Sequence, residues 1–504
     1  MMLMEETSGH TPNRVGEVQM GNGHKRERSE ETDKQDLVSN KAQKWFFQKC
    51  VNFSAVDSPS FKEALKEVQD RVKKIKDSWA ITGCSILLDA WVDQKGHDLV
   101  SFVADCPAGA VYLTSFDVSD IKNDVTALTS LVNGLIEEVG VRNVTQIIAC
   151  STSGWVGELG EQFASHNNEV FWSVSLSHCF ELMLLKIVKM YSFGDILEKV
   201  NSIWEFINNS PSVLKIFREQ SHGKDITVSS SEFEFVTPYL ILESIFKAKK
   251  NLAAMFALSD WKKNLKAMSN LVKDSSFWKK VERVVKCTSP LIHGLLLFST
   301  ANNQHVGYIY DTMDRIKDSV ARELNHSKQC YKPFWDVLDD VWDKHLHNPL
   351  HAAGYFLNPS AFYSTDFHLD PEVATGLISS LLHMVQERHI QLKIATQLDM
   401  YRLGLDCFNE ASQADQISEI SPAEWWAQKA GHHPELQNFA FKILSQTCEG
   451  ASRYKLKRSL AENLLLTEGM SHGEQHHLEE LAYVYYNLQL QISKGKASEE
   501  IVLV

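Results

Sequence analysis

Three strand-like runs stand close together near the start of the apolar part of this chain, and the turns between them are short. "CSILLDAW" (84–91), "DLVSFVADC" (98–106) and "AVYLTSFDV" (110–118) are rich in β-branched and aromatic residues. "DQKGH" and "PAG" separate them. Connections this short join antiparallel neighbours, so the runs predict a three-stranded meander. After it, "VTALTSLVNGLIEEVG" reads as a helix ending at Gly140. "VTQIIAC" reads as a strand, "VGELGEQF" as a helix, "EVFWSV" as a strand and "SHCFELMLLKIVKMY" as a helix. The predicted order is βββαβαβα, an α/β core over residues 81–190.

Residues 1–44 are polar and dense in mixed charge, which predicts a disordered tail. Lys25, Arg26 and Arg28 have the composition of a nuclear import signal, but so short a cluster reads first as a solvated charge run. Residues 45–80 form a helical lead-in. Phe61, Leu65, Val68, Val72 and Ile75 recur at helical spacing, Asp57 or Ser58 can cap, and Pro59 suits the first turn. Lys73, Lys74 and Lys76 read as its solvated face. From 191 to 420 strand alternation disappears, and runs such as "LEKVNSIWEFINN" and "FWDVLDDVWDKHL" predict an all-helical region. Residues 421–490 carry "SPAEWW", "LQNFAFKILSQTC" and a strong final helix, and 491–504 read as a frayed tail.

A chain of 504 residues exceeds one compact core. Its net charge of −13 argues against gripping DNA through the whole surface, because phosphate neutralisation carries most non-specific affinity. Nine cysteines with no CxxC pair predict reduced, intracellular thiols. With no apolar leader and no run of eighteen apolar residues, neither secretion nor membrane spanning is expected. No small-molecule substrate is indicated.

The chemistry to explain lies at two strand ends. "SILLDAW" delivers Asp89, whereas "TQIIACSTSG" delivers Cys150. A meander followed by a helix and a parallel strand resembles the start of the ribonuclease H-like fold. Its interruption by a long helical insertion, with a late return, resembles hAT-type transposases. "LLDAWVDQKG" (87–96), "VFWSVSLSHCFELML" (170–184), "VWDKHLHNPLHAAGYFLNP" (341–359), "SPAEWW" (421–426) and "HLEELAYVYYNLQL" (477–490) are similar to stretches of plant hAT transposase-derived proteins. The resemblance runs from about residue 40 to residue 490. It implies an α/β ribonuclease H-like core interrupted by a large all-α insertion, with a C-terminal helical dimerisation region.

It also implies a catalytic Asp-Asp-Glu set holding two hard divalent cations. Asp89 matches the first member. Cys150 stands at the second and Ser452 at the third, with Arg453 for the motif's arginine and Glu449 a few residues away. One carboxylate of three cannot hold two Mg²⁺ ions, and a thiol suits that cation poorly. Cys150 has no sequence-near base to activate it and reads as inert. Ser175 replaces a family cysteine, and His178 and Cys179 are expected to pack at a helix start. "SSSEFEF" (229–235) is acidic where the family is basic.

The family's N-terminal BED zinc fingers need cysteine pairs, and residues 1–44 contain no cysteine. His345, His347 and His351 read as buried packing, and His472, His476 and His477 lack partners in register. No metal or other cofactor is therefore expected.

The reading is a domesticated, catalytically inactive transposase-like protein. It is expected to act as a dimerising interaction scaffold in the nucleus, or otherwise the cytoplasm, pairing with itself or with related hAT proteins. The alternative is a DNA-binding transcriptional regulator acting directly or through a BED-finger partner. An active metal-dependent transposase or nuclease is the third reading. Leu478, Leu481, Val484, Tyr485 and Leu488 form the expected dimerisation stripe, with Trp425 and Trp426 as anchors.

Overall fold

The short turns do produce a meander. In the computed structural model, β1 (Cys84–Val92), β2 (Asp98–Cys106) and β3 (Gly109–Asp117) pair antiparallel in sequence order. Helix α1 (Pro59–Thr82) precedes them. Helix α2 (Val125–Val139) then carries the chain back so that β4 (Val144–Ala149) lies parallel to β1. Asp124 caps α2, its side chain accepting from the N–H groups of Thr126 and Ala127. Helix α3 (Gly154–His166) leads to β5 (Phe171–Val174), parallel to β4, and α4 (Leu176–Tyr191) comes next. The sheet order is β3-β2-β1-β4-β5, a five-stranded mixed sheet. The element order is the expected one.

The structure describes residues 56–167, 169–191, 193–226, 231, 233–258, 266–298, 305–408, 420–429, 431–467, 469 and 471–500. The tail expected over 1–44, with Lys25, Arg26 and Arg28, lies outside them. Two compact units divide the chain, residues 1–67 and 68–504. In the first, the described residues are the opening turns of α1, where Ser58 is the cap: the Phe61 N–H donates to its carbonyl and its Oγ. In the second, Val68, Val72, Ile75 and Trp79 form the buried stripe of α1, while Lys73, Lys74 and Lys76 are exposed. Gly83 joins α1 to β1 at φ +65°, and a Cβ there would sit 2.4 Å from Thr145 Oγ1, so both conformation and space require glycine.

Alternation along the strands gives the sheet two apolar faces. Leu87, Trp91, Leu99, Val103, Tyr112 and Ile148 pack with Ala482, Tyr486 and Leu490 of the C-terminal helix (His472–Glu500). That helix continues through the segment expected to fray; "SKGKASEE" contains no proline to stop it. Residues 501–504 lie outside the described set.

After α4 the chain is helical from Gly194 to Arg402 among the described residues, as the loss of strand alternation predicts. One apolar core gathers α4 with helical residues up to Leu346 and with Cys448, and a second gathers Phe171 of β5 with residues between Val306 and Leu444. The helix Pro349–Leu357 is buried at eight consecutive positions in the second core. Asn348 caps it and also donates through Nδ2 to the carbonyl of Trp172 and to Ser173 Oγ on β5 (3.0 and 3.1 Å), which ties the helical region to the sheet.

The histidines around this helix differ from expectation. Only His351 is buried, its Nδ1 donating to Leu346 O (2.9 Å), and burial pushes its imidazole down to about 4. His347 is exposed, 3.5 Å from Glu372, and His345 is half-buried. The reason is position: His345 and His347 precede the helix, and His351 lies inside it.

Gly354 marks a close approach. A Cβ at this position would lie 2.9 Å from Val306 Cγ2 and 3.1 Å from the Gly307 backbone nitrogen. Backbone cannot yield as a flexible side chain does, so Gly354→Leu should overpack the junction and cost about 1–3 kcal/mol. Chemical denaturation of the two proteins measures this; an unchanged midpoint would mean that the contact relaxes freely.

Candidate functional site

Asp89 and Cys150 are brought together. β1 and β4 are neighbours with Leu88 opposite Ala149, so the next residues along each strand, Asp89 and Cys150, stand side by side. The Ala90 N–H donates to Cys150 Sγ (3.2 Å). The thiol is pushed up to about 11, first by burial and then by the Asp89 carboxylate. It is protonated at neutral pH and inert as a nucleophile.

Asp89 has a partner that sequence reading missed. Arg458, on the loop before the helix Ser459–Leu466, reaches it with both arms of its guanidinium. Nη2 donates to Oδ1 at 2.9 Å and Nε to Oδ2 at 3.4 Å. The same guanidinium lies over the Trp91 ring, 5.0 Å from its centroid, and the Trp91 indole N–H donates to Glu462 (3.0 Å). Burial raises the Asp89 pKa and Arg458 opposes that rise. The one retained acid of the expected set is therefore neutralised by a cation of the chain itself. Nothing near Arg458 in sequence announces this, because 369 residues separate the pair.

Ser452 does not supply a third ligand. It is exposed, within the turn Ala451–Tyr454, and its carbonyl accepts from the Lys455 N–H. Arg453 turns inward. It contacts Asp105 Oδ2 at 2.7 Å, Thr447 Oγ1 at 3.0 Å and the Tyr454 hydroxyl at 2.6 Å, while that hydroxyl donates to Asp105 Oδ1. Asp105, unsuspected from sequence, is thus the acid of a buried ion pair.

Glu449 is buried beside Ser175, whose Oγ donates toward its Oε2 at 3.5 Å. Its Oε1 has no hydrogen-bond partner among the described residues. Burial pushes the carboxyl up to about 7, against the opposing pull of Ser177 and Arg453.

His178 and Cys179 part company. His178 Nε2 lies 3.2 Å from Thr152 Oγ1 and its Nδ1 3.5 Å from Glu181, while Cys179 is fully buried in the helical core. His472, His476 and His477 are not gathered into a ligand set among the described residues; His476 faces Glu479 and Glu480 at 3.8 and 3.7 Å. Within "SSSEFEF", Ser229, Ser230 and Glu232 lie outside the described residues; Phe233 is buried and Glu234 exposed.

The residues expected to mediate dimerisation are occupied within the chain. Trp425 and Trp426 belong to the second core, stacked among Tyr401 and Phe408, with the Trp426 indole donating to Leu357 O (2.7 Å). Leu478, Leu481, Val484 and Leu488 are buried, and Tyr485 packs partly buried beside the sheet. Burial within a single chain thus accounts for most of the stripe, with Tyr485 its partly buried member.

Among the described residues no helix is long and apolar enough to cross a membrane.

Glu449 gives a pH signature. Its carboxyl rises from 4.5 to about 7 on folding, so the folded state binds the proton more tightly. Stability is then fullest below the unfolded value and is lost as pH rises through the folded one, between about 4.5 and 7, by at most ~3.5 kcal/mol at ~1.4 kcal/mol per unit. Glu449→Gln, a neutral isostere, should flatten this slope and melt higher than the parent at pH 8. Melting curves at pH 5 and pH 8 measure it; equal slopes would remove Glu449 as the cause.

Residues 52–203 match the model of a family described as a domain of unknown function (DUF659), a domain found in hAT-family transposase-like proteins. No curated protein matches the chain.

Proposed function

We propose that this chain is a domesticated, catalytically inactive hAT transposase-like protein on a ribonuclease H-like core, acting as a dimerising interaction scaffold in the nucleus. The observation that carries the reading is the Asp89–Arg458 ion pair. A two-metal nuclease site needs clustered carboxylates to hold and neutralise its cations. Here a guanidinium already neutralises the single acid, and its strand neighbour is a protonated thiol, a donor set unsuited to Mg²⁺. What remains is a packed scaffold. Direct DNA regulation is the weaker reading, because the net charge of −13 opposes phosphate contact.

Purified chain incubated with supercoiled and linear DNA in Mg²⁺ or Mn²⁺ should give no cleavage and no strand transfer. Cleavage that Asp89→Ala abolishes would overturn the inactive reading.

Dimerisation, with itself or a related chain, is tested separately. Light scattering should give a dimer at micromolar concentration whose mass changes little as salt rises, since a chain this acidic associates through apolar area rather than charge. A monomer under those conditions removes self-association and leaves only pairing with a related chain. Tyr485→Asp would place a charge against the chain's own sheet, so it should lower the melting temperature; a mutant that melts normally yet is monomeric would restore Tyr485 to the interface.

A further inference from the structure

We propose that Asp406, Cys407 and His433 form a zinc site at the junction of two helices in the second helical core. One ligand atom each from Asp406, Cys407 and His433 lie within 4.8 Å of one another. Asp406 Oδ2 is 3.1 Å from His433 Nε2 and 3.9 Å from His432 Nδ1, so the carboxylate faces both imidazoles. A thiolate, imidazoles and a carboxylate are the donor classes zinc takes in tetrahedral sites, whereas Mg²⁺ and Ca²⁺ take oxygen alone.

The ligands come from two separated stretches, each held by packing. The helix Arg388–Arg402 ends in a turn where Asp406 adopts φ +56° and the Phe408 N–H returns to Leu405 O. That conformation is uncommon for any residue but glycine, and aspartate tolerates it better than most. Phe408 is fully buried and stacks on the His433 ring, 5.1 Å between centroids and 16° between planes. His433 is the residue before the helix Pro434–Leu444, and its carbonyl accepts from the Gln437 N–H. The two helices are joined by Lys393 and Gln397, which both donate to Glu435.

A second observation points at a ligand. His433 is nine-tenths buried, and its Nε2 faces Asp406 Oδ2 at 3.1 Å but makes no aligned hydrogen bond among the described residues. The imidazole and the carboxylate therefore meet at contact distance without the alignment of a hydrogen bond. A cation between Nε2, the Asp406 carboxylate and the Cys407 sulfur would be ligated by all three. Asp406 and His432 are exposed, which gives a metal its path of entry. Zinc–ligand bonds of about 2.0–2.3 Å require the present grouping to contract slightly on binding. Cys407 would release its proton as the bond forms.

The test uses the full chain, stripped with a chelator, reloaded with Zn²⁺ and desalted. Elemental analysis should find equimolar zinc, and loading should raise the melting temperature. Co²⁺ in place of Zn²⁺ should give the visible bands of a tetrahedral ion and a near-ultraviolet thiolate-to-cobalt band. Cys407→Ser, nearly isosteric, should lose the thiolate band. Asp406→Asn and His433→Ala should lose retained zinc, while a triple His472→Ala, His476→Ala, His477→Ala variant should keep it. The proposal is overturned if the wild-type chain retains no zinc, if the thiolate band survives in Cys407→Ser, or if the triple variant alone loses the metal.

Discussion

A chain of buried amides and hydroxyls holds the distant parts of this fold in register. Gln446 Oε1 accepts from Ser85 Oγ, which in turn accepts from Gln146 Nε2; Gln146 Oε1 accepts from Ser173 Oγ, and Asn348 Nδ2 donates to that same hydroxyl. All five side chains are buried. The chain runs across β1, β4 and β5 and ends in the helical region on one side and the C-terminal segment on the other. Apolar contacts tolerate sliding, but hydrogen bonds between buried polar groups do not, because each broken one leaves an unsatisfied group. Sheet, helical region and C-terminal segment are therefore fixed relative to each other within the second unit by five residues that carry no chemistry of their own.

That frame decides what the strand ends can do. It sets β1 beside β4, so a carboxylate and a thiol meet, and it brings the segment after Gln446 back over the same face of the sheet. Two arginines arrive with it. Arg453 goes inside to Asp105, where hydrogen bonds from Tyr454 and to Thr447 complete the pair. Arg458 stays half-exposed over Trp91 and closes on Asp89. The segment that carries Ser452, the position expected for a third acid, thus completes an ion pair through Arg458. A guanidinium is a fixed, five-donor cation that matches a carboxylate edge to edge. It leaves Asp89 no free edge to share between two metal ions.

Glu449 shows the limit of reading acids by position. It lies three residues from Ser452, near enough to be weighed as the third acid of the expected set, yet the backbone turns it into the core beside Ser175. Its carboxyl is held near neutrality by burial rather than poised as a ligand.

The sequence by itself determined the elements of the α/β core and the helical character of the region beyond it. Turn residues, strand composition and helical periodicity are local properties, and they place β1 to β5 and α1 to α4 in their observed order. It also placed a thiol, Cys150, at a strand end where the resemblance leads one to expect an acid, since a residue type can be read without a partner. What only the tertiary structure decided were the pairings. Asp89 with Arg458, Asp105 with Arg453 and Asn348 with Ser173 join residues far apart in the chain, and no periodicity encodes them. The apolar stripe of the final helix illustrates the same divide: its spacing shows that Leu478, Leu481 and Leu488 seek burial, but whether a second chain or the chain's own sheet supplies the partner surface depends on which is closer after folding. Here all three are buried within the chain, while the sheet itself takes Ala482, Tyr486 and Leu490 of the same helix.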